Sequence, residues 1–86
     1  MKLPKKTKEM TWTRVGDSYV LIDPSTKKNI TIDPIAFMVW VQCDGKTDLE
    51  NMTDVFSVDG NRDIVQAALK GILDKLEENN LIKWVE

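Results

Sequence analysis

The sequence predicts a single α+β domain in which a three-stranded antiparallel sheet is followed by three helices. Three observations carry that expectation. Short runs of β-forming residues are joined by turns too brief for a crossover. Asp33-Pro34 and Thr47-x-x-Glu50 are helix openings, and the stretch after Asn61 carries a long apolar stripe at helical spacing.

The first strand is Thr11-Trp12-Thr13-Arg14-Val15, which alternates and ends at the turn Gly16-Asp17. Ser18 to Ile22 forms the second strand, and Asp23-Pro24-Ser25-Thr26-Lys27 is a hairpin-length turn cluster. Lys28 to Ile32 forms the third, with Ile30 and Ile32 on the core face and Asn29 and Thr31 on the other. Joined so closely, the three strands can pair only as a meander.

Asp33 is a favoured N-cap and Pro34 suits the first helical position. The helix that follows holds Ile35, Phe37, Met38, Val39, Trp40 and Val41 and is expected to be largely buried. It stops at Cys43-Asp44-Gly45, where glycine can take a positive φ. Thr47 and Glu50 then have the spacing of a capping box, so a second helix is expected from Thr47 to Phe56. After the loop Ser57-Val58-Asp59-Gly60-Asn61, Asn61 is the expected cap of a long third helix. That helix carries Ile64, Val65, Ala68, Leu69, Ile72, Leu73 and Leu76 on one stripe. Gln66, Lys70, Asp74 and Glu77 lie opposite, in solvent, and Ala67 and Gly71 stand on one border of the stripe. Asn79-Asn80 suits a left-handed stop, and Leu81 to Val85 returns as a short apolar tail over one end of the core. The expected core holds Phe37, Val39, Trp40, Leu69, Ile72 and Leu76.

Eighty-six residues suffice for one small domain. Residues 1–9, with Lys2, Lys5, Lys6, Lys8 and Pro4, read as a flexible basic arm, and residues 10–86 as the folded unit. From Glu9 onward, fourteen acids face eight bases. Such a balance disfavours nucleic acid, because a duplex-binding surface is basic. One cysteine and no histidine leave no zinc or iron–sulfur set and no Ser-His or Cys-His pair. Cys43 reads as a small buried apolar residue, and the three tryptophans as packing. With no long apolar run and no signal-peptide core, the expected location is cytoplasmic.

The run Ile32-Asp33-x-x-Ala36-x-x-Val39-Trp40-x-x-Cys43-Asp44-Gly45-x-Thr47 resembles the signature of PqqD-like proteins, the RiPP recognition elements. The ending Leu76-x-x-x-Asn80-Leu81-Ile82 is similar to the family's, with Asn80 where glycine is usual. Asp33 stands where the family has Asn, and Gln42 where it usually has Leu. The resemblance implies a winged-helix-like arrangement and a free-standing peptide-binding module without cofactor or catalysis. Such modules capture the leader of a ribosomal precursor peptide by strand addition and present it to a maturase, often a radical SAM enzyme.

On that resemblance the leader adds to the strand Lys28, Asn29, Ile30, Thr31 and Ile32. It packs against a border of the third helix, taken here as Ile64, Ala68, Gly71 and Lys75 for its small residues, with the border through Leu69 and Leu73 left open. The expected assembly is a monomer or weak homodimer without a membrane partner. A winged-helix DNA-binding regulator is the alternative, but the third helix holds three bases against four acids. Catalysis has least support, since no acid, base and nucleophile converge.

Overall fold

The computed structural model describes residues 2–57 and 61–86. Elements follow in the order β1 (Leu3–Lys6), β2 (Thr11–Val15), β3 (Ser18–Ile22), β4 (Asn29–Ile32), α1 (Pro34–Val41), α2 (Leu49–Phe56), α3 (Arg62–Glu78) and β5 (Ile82–Val85). The expected antiparallel meander β2-β3-β4 precedes the three helices, and β1 pairs with β5 in a separate two-stranded sheet. The expected loop residues Val58, Asp59 and Gly60 lie outside the described residues.

Gly16 at φ 61° makes the first hairpin turn. In the second, Lys27 takes φ 65° while its N–H donates to the Asp23 carbonyl at 2.8 Å. Tyr19 pairs with Ile32 and Leu21 with Ile30, so these four share one face. That face meets α1, where the Phe37 ring stacks on Tyr19 at 3.9 Å and Trp12 packs edge-on against both rings. The core is closed by Leu21, Val39, Trp40, Met52, Leu69, Leu73, Leu76, Leu81 and Ile82. Of the expected core residues, only Ile72 is partly exposed.

Five local expectations are corrected. The basic arm is not loose over Leu3–Lys6, which pairs antiparallel with β5. Pro4 is buried, its carbonyl accepts from Gly45 N–H at 2.9 Å, and the Lys6 N–H donates to the Cys43 carbonyl at 3.0 Å. Fixed between the edge of β5 and the 43–45 loop, the segment satisfies backbone groups that would otherwise be orphaned. The Lys6 ammonium also donates to the Val41 carbonyl (3.1 Å) at the end of α1 and lies over the Trp40 ring.

Helix α1 is only half buried. Ile35, Met38 and Val41 are exposed, because an eight-residue helix lying on a sheet turns one side away from it.

The cap of α2 is Asp48, whose Oδ1 accepts from Asn51 N–H at 2.8 Å. Thr47 is held one residue outside the helix, because Asp44 Oδ1 accepts from the Lys46 and Thr47 N–H groups (2.8 and 2.9 Å). Those bonds hold the Asp44 carboxyl below its usual pKa. Glu50 does not reach back to Thr47; it accepts from Arg62 and from Gln66 Nε2, both at 2.9 Å, tying α2 to α3. Gln66 is therefore engaged rather than simply solvated. The Asn61 side chain makes no cap hydrogen bond.

The stops behave as the residues suggest: Gly45 takes φ 77° and Asn80 φ 59°. Burial pushes the Cys43 thiol up to about 12, and its Sγ–H donates to the Val39 carbonyl. It is a packed thiol, not a reactive one.

Candidate functional site: the β4–α3 groove

Strand β4 stands at one edge of its sheet, with β3 on one side only. The phase of its hydrogen bonds follows from the hairpin. Asp23 N–H donates to the Lys28 carbonyl at 2.8 Å, so the 23–28 pair is a bonded one. Antiparallel alternation then directs the backbone of Ile30 and Ile32 at β3 and turns the N–H and C=O of Asn29 and Thr31 to the open edge. The strand thus presents two donors and two acceptors in line, a template for another extended chain.

A helix runs beside that edge. Between β4 and α3 lies a groove of about 560 Å³. Ile30, Thr31 and Ile32 form one wall, and Ala68, Gly71, Ile72, Lys75 and Leu76 the other. Asp33 and Ala36 at the start of α1 close one part, and Asn79 and Leu81 another. The wall on α3 is low because two of its residues are Ala and Gly: no heavy atom lies within 4 Å of where a Cβ at Gly71 would stand. β2, the other edge strand, has all five residues exposed, and none of them lines this groove.

The structure brings together six of the nine expected site residues: Ile30, Thr31, Ile32, Ala68, Gly71 and Lys75. Lys28 and Asn29 border an adjoining hollow that shares Ile30 with the groove. Ile64 does not join them; it is 70 % exposed and lines a separate hollow at the start of α3. One helical turn before Ala68, α3 has already passed beyond the four-residue β4. The other border of the helix is closed to any ligand, since Leu69 and Leu73 are buried in the core.

Asp33, Ala36, Ile72, Leu76, Asn79 and Leu81 were not expected in the site. Ala36 had a signal, a small residue one turn into α1. For Asn79 and Leu81 there was none, because the chain reversal at Asn80 brings them alongside. Among the described residues no group of acids and cysteine is placed to hold a metal ion. No described helix is long and apolar enough to cross a membrane.

Meander, three helices and an open edge strand set beside the longest helix define a class of small α+β domains with a linear groove. The chain belongs to the coenzyme PQQ synthesis protein D (PqqD) family, whose profile matches residues 18–82, more than half of its length. The resemblance carried by Ile32 to Thr47 and by Leu76 to Ile82 falls inside that match. In fold the chain is similar to the solved structure of "TbiB1 in complex with the TbiA(beta) leader peptide". The TM-score is 0.66 at 22 % identity, covering 92 % of this chain and 94 % of that one. No curated protein sequence matches the chain.

Proposed function

We propose that this protein is a peptide-binding module of RiPP biosynthesis. It captures the leader of a ribosomal precursor peptide as an added strand on β4 and presents it to a maturation enzyme, of the radical SAM kind in our reading. The observation that carries the proposal is the pairing of a free strand edge with a helix border of small residues. The Asn29 and Thr31 backbone groups supply affinity, and the apolar floor of Ile30, Ile32 and Ile72 chooses the side chains. Membership in the PqqD family supports it, as does the likeness to a protein described with a leader peptide bound. The module lends geometry and performs no bond chemistry of its own.

The test is a titration of isotope-labelled protein with the leader of a precursor encoded beside its gene. Amide shifts should cluster on Asn29 to Ile32 and on the helix from Ala68 to Lys75. Thr31→Pro should weaken binding with the sheet intact, because the N–H it removes faces the open edge and not β3. Thr31→Val should change little, since backbone rather than side chain makes the bond. Shifts confined to Lys2 to Lys8 that vanish with salt would overturn the proposal, as non-specific charge attraction behaves that way.

A further inference from the structure

The groove does not end at β4. It shares Ile30, Asn79 and Leu81 with the hollow beside Lys28, and that hollow shares Thr7 and Lys8 with a third, lined by Lys5, Lys6 and Lys83. Charge changes along this track. The groove itself balances Lys75 against Asp33, whose Oδ1 is taken by the Ala36 N–H. Past Asn29 come five lysines and three carboxylates, in a chain whose net charge is −2.

Two of those carboxylates are already engaged. Asp23 accepts from the Lys8 ammonium at 2.5 Å and from Ser25, and Asp44 from the Lys46 and Thr47 N–H groups. Glu9 is the third. Lys5 and Lys83 stand directly opposite each other in the β1–β5 register, both exposed, and neither has an ion-pair partner among the described residues. Like charges directly opposite on a two-stranded sheet repel. A carboxylate laid between them would relieve that repulsion.

Resting on the strand-addition reading, we infer that the peptide this protein takes is bipartite. An alternating apolar segment fills the β4–α3 groove, and an acidic flank on its C-terminal side lies over Lys28, Lys5 and Lys83. The polarity follows from the sheet. A strand added antiparallel to β4, as β3 already is, enters beside Ile32 and leaves beside Asn29, where the lysines begin. The basic track is thus part of the peptide site and gives the complex its dependence on salt.

The experiment selects random displayed peptides on the full chain at low salt, then measures resynthesised, fluorophore-labelled winners by anisotropy and by amide shifts. The expected winners alternate apolar residues and continue into Asp and Glu. Replacing those acids by Asn and Gln should weaken binding about tenfold, equivalent to ~1.4 kcal/mol. In Lys5→Gln/Lys83→Gln that difference should shrink to near nothing while the β4 amides still shift. The double variant removes a repulsive pair, so an unchanged or raised melting temperature certifies its fold. Winners that shift β4 without acidic enrichment overturn the inference and leave strand addition standing, and so does an acid effect undiminished in the double variant. Acids enriched on the N-terminal side overturn the stated polarity and with it the proposal. If no winner shifts the β4 amides, strand addition itself fails and the inference falls with it.

Discussion

Replacing Gly71 by methionine should move stability and peptide affinity in opposite directions. Gly71 sits in the interior of α3, facing the groove, with open space where a Cβ would stand. Glycine in a helix interior is about 0.8–1 kcal/mol worse than alanine, and methionine is nearly as good as alanine. With no clash to offset it, Gly71→Met should gain on the order of 0.5–1 kcal/mol. For a domain of this size 1 kcal/mol moves the melting temperature by roughly 4–8 °C, which a thermal scan resolves. The same side chain projects into the space between α3 and Thr31, where an added strand would lie. Affinity for a groove-binding peptide should fall about tenfold or more, at least ~1.4 kcal/mol. Gly71→Ala separates the two effects: it should gain similar stability and lose much less affinity. A destabilised Gly71→Met would show that the helix border is not open. A more stable variant that still binds fully would show that the peptide does not lie in this groove.

Three further outcomes test the fold around the site. Asp48→Ala should cost about 0.5–2 kcal/mol in urea unfolding, and Thr47→Ala less, because Asp48 is the residue that caps α2. The reverse order would restore Thr47 as the cap. Deleting residues 1–6 removes the buried Pro4 and the Lys6–Cys43 backbone bond, and should cost about 2 kcal/mol or more. An unchanged midpoint would mean that this segment is a loose arm. The Asp23 carboxyl is held well below the usual carboxylate range by Lys8 first and then by Ser25. Its folded pKa lies below the unfolded one, so its stabilisation is present above about pH 4 and fades as pH falls below it. Asp23→Asn should therefore flatten the loss of stability in that acid range, read from unfolding midpoints across pH. Identical slopes would show that Asp23 contributes nothing there.

Most of the architecture could be read from local chemistry. Alternation with short turns implied the meander, Asp33-Pro34 opened α1 at the observed residue, and Asn80 took the left-handed stop. These features depend on neighbours a few positions away, and sequence displays such neighbours directly. The misreadings turned on distant partners and, at Thr47, on a competing near neighbour. Thr47 and Glu50 have the right spacing for a capping box, but the Asp44 side chain holds Thr47 outside the helix and Arg62 draws Glu50 across to α3. The lysines of the first eight residues suggested solvent, whereas Pro4 between them is buried against β5.

The candidate site divides along the same line. The strand and the helix were expected from the family resemblance, and only the choice of helix border came from helical spacing and small residues. Which border of α3 meets β4 was decided only when the core buried Leu69 and Leu73 and left Ala68, Gly71 and Lys75 turned to the strand. Ile64 has the same spacing as those three but falls beyond the end of β4, since a helix of seventeen residues outruns a strand of four. Periodicity determines the direction in which a side chain points. What it meets there depends on packing between segments far apart in the chain, and that only the tertiary structure decides.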